Sequence, residues 1–482
     1  MRIPRRTKIV ATLGPATDPP AMMDAMIAAG VDVVRLNCSH DTHERHRERV
    51  ALVRERAAAA GQEIAILLDL QGPKIRIGRF KDGPIDLALG DAFAIDTACP
   101  LTEGDRTRVG TTYATLADDV YPDDTLLLDD GAIELWVESV SSGRINCTVV
   151  AGGKLSNNKG INKKGGGLSA PALTEKDEAD IRLAAELGAD YLAVSFVRNA
   201  ADVQLARELF QASGGRGGIV AKIERAESLN AVDEIIQAAD VIMVARGDLG
   251  VEIGDAKLPA VQKHLISRAR SLNTVVITAT QMMQSMIDNP IPTRAEVFDV
   301  ANAVLDGTDA VMLSAESSIG RDPARVVEAL DRICTEAERH VTRSGHRIDT
   351  VFGRVDEAIA MATMYTANHL GVKAIAALTE TGSTVKWMSR ISSGIPILAM
   401  ARNAETRRKV RIFRGVYPVS FELASKDVNE LNMEVVEELL RRGTVRNGDL
   451  VIITKGDRSG VGSQTNIMKI MRVGEHKLLV RD

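Results

Sequence analysis

The sequence predicts an α/β protein built on a (β/α)8 TIM barrel, with an inserted β-barrel lid domain and a C-terminal α/β domain. Eight apolar runs of strand length alternate with helical patterns. Most successive runs begin about 23–36 residues apart, the length of a strand, a helix and two loops. Eight such units in series favour a closed parallel barrel. The runs are Lys8–Leu13, Val31–Leu36, Ile64–Leu70, Tyr191–Phe196, Ile219–Ile223, Val241–Ala245, Thr274–Thr278 and Ala310–Leu313.

The long interval between the third and fourth strands has a different pattern. Glu134–Val140 and Ile145–Val150 alternate between apolar and polar residues among Gly- and Asp-rich turns, which is typical of antiparallel β structure. We predict a β domain over residues 72–168, inserted on the mouth of a barrel made of residues 1–71 and 169–343. Its position suits a lid over a site.

The pattern changes again after the eighth unit. Val355–Leu370 has the periodicity of an amphipathic helix, and Ser344–Val351 is polar, as expected of a connection. We predict a separate α/β domain over residues 344–482. Its predicted strands are Ala374–Leu378, Pro396–Ala399, Val416–Ser420 and Leu450–Thr454.

Composition excludes several classes of protein. The 482 residues carry a net charge of −5, which gives no support for a nucleic-acid binder. Four scattered cysteines without a C-x-x-C pair argue against a zinc site or a disulfide framework and fit a reducing compartment. No run of 18 apolar residues exists, so we expect no membrane association. A cytoplasmic location is therefore predicted.

Charged side chains close the fifth and sixth strands. Lys222 and Glu224 stand two residues apart at the end of one strand, and Asp248 follows the next. Residues two apart on a strand face the same way, and the carboxyl ends of barrel strands form the ligand-binding face. Two carboxylates and a lysine there suit a divalent metal and an anionic substrate. Gly247 allows a ligand to approach the backbone closely.

Other strand ends allow two interpretations each. Arg35 and the polar residues 37–40 suit phosphate and cation contacts, or a structural ion pair and a helix cap. Asp69 and Arg76 flank the start of the insert and could serve structure or a site. Thr280 could bond a carboxylate or relay a proton, or it could cap a helix over Gln281–Ile287.

Three further segments contain possible ligand-binding groups. Gly152–Gly167 contains Lys154, Lys159, Lys163 and Lys164 among glycines, which fits a flexible loop over phosphates or a solvated turn. Thr379–Thr384 follows a strand and opens a helix, which favours an anion site over a capped helix. Three histidines at positions 40, 43 and 46 lack a metal-binding partner pattern, and we interpret them as a solvated helical turn.

Taken together, the motifs resemble the pyruvate kinase family, and the resemblance covers nearly the whole chain. A Mg²⁺-dependent (β/α)8 lyase acting through an enolate would not need the insert and its lysines. A sugar-phosphate sensor would not need the charged strand ends. The matching stretches are TKIVATLGPAT (7–17), RLNCSH (35–40), DLQGPKIR (69–76), NNKGIN (157–162), VAKIE (220–224), VARGDLGVEI (244–253), TATQMM (278–283) and PTRAEVFDVANAVLDGTDAVMLSAES (292–317).

The resemblance implies an enzyme that transfers the phosphoryl group of phosphoenolpyruvate to ADP, giving pyruvate and ATP, the last step of glycolysis. It implies that Glu224 and Asp248 hold a catalytic Mg²⁺, with Mn²⁺ able to replace it. Lys222 would neutralise charge on the migrating phosphoryl group, and Arg35 would hold the substrate phosphate.

The remaining family roles concern the rest of the substrate pair. Gly247, Asp248 and Thr280 would hold the carboxylate end, with Thr280 near the step that protonates the enolate. The family is typically a homotetramer. The residues matching the nucleotide site, with its second Mg²⁺, are Asn37, Cys38, Ser39, His40, Arg76 and Lys159.

Many family members bind K⁺ through residues matching Asn37, Ser39, Asp69 and the next position. Here that next residue is Leu70, and Lys74 stands where K⁺-dependent members usually carry Glu. This pattern resembles that of the K⁺-independent members. A fixed ammonium can stand where the free cation would bind, and the ammonium would repel that cation. We therefore expect that K⁺ is not required.

The family's effector loop matches the segment that opens the C-terminal helix. The resemblance therefore implies an allosteric sugar phosphate or AMP, and the overall pattern looks closer to the bacterial members activated by such ligands. The residues expected to bind the effector phosphate are Thr379, Thr381, Gly382, Ser383 and Thr384.

Overall fold

A computed structural model describes residues 5–340, 351–422, 428–456 and 465–475. The predicted domain boundary at residues 343/344 lies outside these residues, as does the predicted connection except for Val351. All three predicted domain boundaries, at 71/72, 168/169 and 343/344, stay predictions. Among the described residues, no helix is long and apolar enough to cross a bilayer.

Two βα units and a third strand open the chain and form the first strands of the barrel. Pro20, at the start of the first helix, suits a position whose N–H would be unpaired anyway. Thr42 caps the second helix by accepting the Arg45 N–H. The elements are β1 (Lys8–Thr12), α1 (Pro20–Ala29), β2 (Val33–Asn37), α2 (His43–Ala59) and β3 (Ala65–Asp69).

The insert follows β3 and is mainly antiparallel, as the alternating pattern predicts. Its strands form a six-stranded sheet in the order β11-β7-β8-β9-β5-β6 and a two-stranded sheet of β10 with β4. Its own apolar core is separate from that of the barrel. The strands are β4 (Ile85–Leu87), β5 (Ala92–Asp96), β6 (Arg108–Val109), β7 (Thr125–Leu128), β8 (Ile133–Ser141), β9 (Arg144–Ala151), β10 (Gly153–Leu155) and β11 (Ile161–Lys163).

The barrel resumes after the insert and closes on itself. Its strand order is β1-β16-β15-β14-β13-β12-β3-β2 with parallel pairing throughout, which confirms the eight predicted strands to within two residues at either end. The elements are α3 (Glu175–Glu186), β12 (Tyr191–Val194), α4 (Ala200–Ala212), β13 (Gly218–Ile223), α5 (Val232–Ala238), β14 (Val241–Ala245), α6 (Arg246–Ile253), α7 (Leu258–Ser271), β15 (Val275–Ala279), α8 (Arg294–Asp306), β16 (Ala310–Leu313), α9 (Ala315–Ser318) and α10 (Pro323–Arg339).

The C-terminal domain is a five-stranded sheet in the order β19-β18-β17-β20-β21. The four predicted strands are present, but we did not predict β21, which pairs antiparallel at one edge of the sheet. Its sequence, IMKIMR, is neither a continuous apolar run nor a strict alternation of apolar and polar residues. The elements are α11 (Val355–Leu370), β17 (Ala374–Leu378), α12 (Ser383–Ser389), β18 (Ile397–Ala401), α13 (Ala404–Lys409), β19 (Val416–Ser420), α14 (Val428–Arg441), β20 (Leu450–Lys455) and β21 (Ile467–Arg472).

The base of the barrel packs directly on the C-terminal domain. Lys8 Nζ donates to the Val416 carbonyl at 2.6 Å, and Tyr191 Oη donates to the Lys409 carbonyl at 2.6 Å. Apolar side chains from the inside of the barrel join those of the domain in one continuous core. The opposite end of the barrel, where the strands end, stays available for a site.

Candidate active site at the barrel mouth

Lys222 is the centre of an ion-pair network at the ends of the strands. Its Nζ lies 2.9 Å from Glu224 Oε1 and 3.2 Å from Asp69 Oδ1, and it donates to Ser195 Oγ at 2.7 Å. The residue is only 9% exposed. Three strands therefore hold one ammonium in a fixed position, where it faces the open end of the barrel.

The charge of Lys222 is maintained by its neighbours. Burial alone would lower the pKa of this ammonium, but the carboxylates of Asp69 and Glu224 outweigh burial and raise the pKa to about 12. In the same way, Lys222 and Arg35 outweigh burial at Asp69 and lower the pKa of its carboxyl. The site therefore carries fixed opposite charges at neutral pH.

Glu224 and Asp248 form the acidic part of the site. Burial, together with the negative charges of Asp248 and Asp69, raises the pKa of Glu224, while Lys222 opposes this shift. Glu224 Oε2 accepts the Phe196 N–H at 2.8 Å. Asp248 lies in the first turn of α6, directly after β14, and is partly exposed.

These two carboxylates fit a hard divalent cation. A buried carboxyl whose charge is disfavoured by a second carboxylate is stabilised by a cation between them. Among the described residues, no cluster of three or more His, Cys, Asp or Glu side chains forms a complete metal cage. A pair of carboxylates leaves the remaining positions to substrate oxygens and water, as Mg²⁺ prefers.

Arg35 reaches the same network from β2. Its Nε donates to Asp69 Oδ2 at 2.6 Å and its Nη1 donates to Thr12 Oγ1 at 3.0 Å. Asp69 therefore bridges Arg35 and Lys222. This geometry agrees with a structural ion pair between Arg35 and Asp69. The remaining N–H groups of Arg35 can donate to a phosphate, so the phosphate-binding role stays a prediction.

Thr280 lies on a strained turn after β15. Its φ of 68° is in the left-handed region, and that of Gln281 is 54°. The Gly247 N–H donates to Thr280 Oγ1 at 2.9 Å, and this hydroxyl donates to the Ala279 carbonyl at 2.7 Å. The helix-cap interpretation was wrong, because the nearest helical turn is Gln284–Ile287 and Met283 precedes it.

The sequence-based search missed two residues that position the site. Ser195, after β12, donates to the Leu70 carbonyl at 2.7 Å while it accepts from Lys222. Arg246 donates to the Ala279 carbonyl at 3.0 Å and pairs with Asp299 at 2.7 Å, which supports the turn of Thr280. Ser195 lies near the end of the predicted strand Tyr191–Phe196, and Arg246 directly follows the predicted strand Val241–Ala245, so their place at strand ends was the available signal.

The predicted nucleotide residues lie in two separate groups. Asn37 ends β2, and Cys38, Ser39 and His40 follow it. Asn37 Oδ1 accepts the Ser39 N–H, and Cys38 is buried. Arg76 and Lys159 lie in the insert. Arg76 donates to the Asn158 carbonyl at 2.8 Å, and Lys159 pairs with Asp129 at 2.8 Å.

The lysine-rich segment of the insert is largely ordered structure. It contributes β10 and β11, and Lys163 pairs with Asp124 at 2.8 Å. Its end is attached to the barrel, since the Gly165 N–H donates to the Glu252 carbonyl at 3.0 Å. This geometry favours the turn at the return to the barrel over a free phosphate-binding loop.

A small cavity of about 30 Å³ separates the insert from the barrel mouth. Lys74 and Gly160 line it from the insert, and Phe196, Asp248 and Glu252 line it from the barrel. Burial raises the pKa of Glu252 to about 7, although its carboxylate accepts the Ala226 N–H. Lys74 therefore lines the same cavity as Asp248, while Leu70 is buried and only 1% exposed.

The predicted effector loop encloses a cavity of about 120 Å³ at the base of the barrel. Thr381, Gly382 and Ser383 line it together with Lys386 and Lys409. Burial lowers the pKa of Lys386 to about 8. The other two predicted residues are engaged elsewhere: Thr379 Oγ1 accepts the Gly382 N–H, and Thr384 bonds Thr465.

The three histidines differ from our expectation in one respect. His40 is exposed, but His46 is only 2% exposed and burial lowers the pKa of its imidazole. His43 lies 2.7 Å from Asp180 Oδ1. The solvated-turn interpretation is thus wrong for His46, because α2 packs this face against the barrel.

Comparison with known proteins identifies the family. The family model for the pyruvate kinase barrel domain matches residues 4–327, and the model for the pyruvate kinase alpha/beta domain matches residues 357–471. The chain belongs to the pyruvate kinase family.

Full-length relatives agree with this assignment. Pyruvate kinase II of Salmonella typhimurium is 54% identical over 475 residues, which are 97% of this chain and 99% of the relative. The pyruvate kinase of Haemophilus influenzae is 53% identical over 476 residues, with the same coverage. That of Corynebacterium glutamicum is 41% identical over 473 residues, covering 98% of each chain.

The chain therefore has pyruvate kinase activity, and phosphoenolpyruvate and ADP are its implied substrates. The pyruvate kinase family generally uses a divalent metal. The geometry at the ends of β13 and β14 has the two carboxylates that such a metal requires. The rival interpretations, an enolate-forming lyase and a sensor, are excluded by full-length membership in this family.

Proposed function

We propose that phosphoryl transfer takes place at the barrel mouth beside Lys222. The observation that carries this proposal is the placement of one buried, permanently charged ammonium between Glu224 and Asp69. Phosphoryl transfer needs little covalent help and much charge neutralisation and positioning. A fixed cation in a largely desolvated site supplies both.

In this proposal each charged group has one role. Arg35 binds the phosphate of phosphoenolpyruvate, and Glu224 and Asp248 would hold Mg²⁺ or Mn²⁺, which supplies positive charge to the carboxylate and enolate oxygens. Lys222 neutralises the phosphoryl group while its bond to the enolate oxygen breaks and a bond to a terminal ADP oxygen forms. The strong pairing of Asp69 keeps Arg35 and Lys222 at a constant separation.

The second half of the reaction is protonation of the enolate carbon. Thr280 Oγ1 is held by the Gly247 N–H and the Ala279 carbonyl, so its position is independent of the substrate. We assign to Thr280 and Gly247 the binding of the carboxylate end, and to the Thr280 hydroxyl a place next to the water that delivers the proton. The strained backbone keeps this hydroxyl at the mouth.

The nucleotide is proposed to bind between the two separate groups of predicted residues. Asn37–His40 lie on the barrel, while Arg76 and Lys159 lie on the insert. Lys159 is held by a single partly exposed carboxylate, Asp129, an interaction worth little in water. ADP phosphates with a second Mg²⁺ can therefore replace that partner, and closure of the insert as a lid would exclude water.

The proposed function is tested by a coupled assay of pyruvate formation from phosphoenolpyruvate. We expect pyruvate to form when ADP and Mg²⁺ are both present, and no rapid formation when ADP is omitted, because phosphoryl transfer rather than hydrolysis is catalysed. Rapid pyruvate formation without ADP would contradict the proposed nucleotide site. Mn²⁺ in place of Mg²⁺ should support turnover.

K⁺ is proposed to be unnecessary because Lys74 supplies a fixed positive charge. Lys74 lines the cavity next to Asp248 and has no ion-pair partner within residues 5–340, 351–422, 428–456 and 465–475. At saturating substrates and constant ionic strength, we expect added K⁺ to leave the wild-type rate nearly unchanged. Lys74→Glu should lower the K⁺-free rate and make K⁺ stimulatory, by roughly tenfold.

A matched control for this prediction is Lys81→Glu, an exposed lysine of the insert. This variant has the same charge change and should stay insensitive to K⁺. A large stimulation of the wild-type protein by K⁺ would contradict the proposal directly.

A phosphorylated effector, a sugar phosphate or AMP, is proposed to bind at the effector loop. The two lysines, Lys386 and Lys409, outnumber the one carboxylate in the wall of the loop's cavity, that of Asp240. We expect Ser383→Asp to abolish activation by these ligands, because it places a negative charge beside the phosphate, while the basal rate stays unchanged. Ser420→Asp, at an exposed position of the same domain, should retain activation. Full activation of Ser383→Asp would exclude this loop.

A further inference from the structure

A larger cavity, of about 260 Å³, lies between the base of the barrel and the C-terminal domain. The barrel contributes Arg6, Arg270 and the turn at Gly307, and the C-terminal domain contributes Arg414. We call it the basal cavity. It is separate from the effector loop, whose cavity has none of these residues in its wall.

Positive charge exceeds negative charge around the basal cavity. Arg6 pairs with Glu338 at 3.4 Å. Within the part of the chain that the structure describes, neither Arg270 nor Arg414 forms an ion pair. Arg270 donates to Ser392 Oγ at 3.0 Å, and Arg414 donates through Nη1 to the Thr308 carbonyl at 2.8 Å.

The pKa values of Arg414 and Arg270 are both lowered, which shows that their positive charges are disfavoured in this arrangement. Burial lowers the pKa of Arg414 to about 10; Arg6 and Arg270 add to this lowering, while Glu338 and Asp309 oppose it. Burial and the neighbouring Arg390 also lower the pKa of Arg270, and Asp309 opposes that shift. An anion in the cavity would relieve both effects.

The rest of the wall is partly apolar and otherwise uncharged or weakly polar. Leu305, Met364 and Ile395 are among its apolar side chains, and Ser389, Ser392 and Ser393 add hydroxyl groups. A free inorganic anion would leave this apolar surface and much of the volume unused. A molecule with one anionic end and one apolar or uncharged body fits both parts of the wall.

We propose that the basal cavity binds a phosphomonoester of a small organic molecule, with its phosphate on Arg270 and Arg414. Each guanidinium has a planar fork of N–H donors that matches phosphate oxygens. In the hydrogen bonds of the described residues, Arg414 uses only Nη1 from its side chain and Arg270 only Nη2. Among the described residues, no acceptor occupies the other side-chain N–H groups of these two arginines, so we assign them to the ligand. Bound there, the ligand connects the barrel to the C-terminal domain.

The test uses isothermal titration calorimetry on the full chain carrying Thr381→Ala and Ser383→Ala, which removes the hydroxyls of the effector loop. The probes are phenyl phosphate, inorganic phosphate and phenol. We expect phenyl phosphate to bind more tightly than inorganic phosphate, and phenol not to bind. Equal affinities for the two phosphates would overturn the phosphomonoester assignment, and absence of phenyl phosphate binding would overturn the site.

Variants in the same background locate the binding. Arg270→Gln should weaken phenyl phosphate binding by about tenfold or more, since a hydrogen bond to a charged group is lost. Arg270→Lys keeps the charge and should recover part of the affinity. Arg268→Gln, two residues away on α7 and paired with Asp233, is the matched control and should bind as the parent does. Unchanged affinity in Arg270→Gln would overturn the proposal.

Discussion

Lys222→Met is expected to lower kcat for phosphoryl transfer by about three orders of magnitude or more, because it removes a preorganised charge from a desolvated site. Methionine has a similar length, so the packing against Ser195 is approximately kept. Metal binding should be retained or strengthened, since Glu224 loses its competing cation. The measurements are steady-state turnover and Mn²⁺ titration of the same preparation.

The control for this prediction is Lys154→Met, a lysine of the insert that is exposed. It should leave both turnover and Mn²⁺ affinity unchanged. If Lys222→Met lost metal binding in proportion to its loss of turnover, Lys222 would be organising the metal site, and its assignment to the migrating phosphoryl group would be wrong.

The second large effect is expected for Glu224→Gln. The substitution removes one of two metal-binding charges without changing the shape of the side chain, and it leaves Lys222 with Asp69 as its only carboxylate within 4 Å among the described residues. We expect the Mn²⁺ affinity to fall by roughly 10- to 100-fold. Turnover at limiting metal should fall at least as much. Titration of Mn²⁺ followed by magnetic resonance measures the first effect.

Glu252→Gln is the matched control for Glu224→Gln. Glu252 is also buried, at 4% exposure, and also accepts a backbone N–H, but its pKa of about 7 means that it is partly neutral near pH 7. Its amide variant should therefore bind Mn²⁺ nearly as the parent does. Equal losses in both variants would show that the loss comes from disturbed packing around α6 and not from a lost ligand.

The pH dependence of metal binding follows from the same geometry. The pKa of Glu224 is raised, and a metal binds the deprotonated carboxylate. Metal affinity should therefore increase as the pH rises through that raised pKa. In Glu224→Gln this dependence should be absent.

Much of the architecture was predictable because it depends on local patterns. A buried parallel strand needs a short apolar run, and the helix that follows needs apolar residues at helical spacing. Eight such strand–helix repeats could therefore be recognised along the chain. Edge strand β21 was missed, since basic residues interrupt its apolar residues without a strict alternation. The buried state of His46 was also missed, because it depends on which face of α2 packs on the barrel.

The sequence by itself determined the barrel, the insert, the C-terminal domain and the charged residue types at the strand ends. Only the tertiary structure decided how those charges are paired. Asp69 joins Arg35, 34 positions before it in the chain, to Lys222, 153 positions after it. Arg246 supports the Thr280 turn from the start of α6, directly after β14. Pairing depends on distances between strands that closure of the barrel creates. The excess of arginines in the basal cavity likewise arises only where two domains meet. It could not be predicted, because the local sequence pattern does not indicate which charged side chains will lack an ion-pair partner.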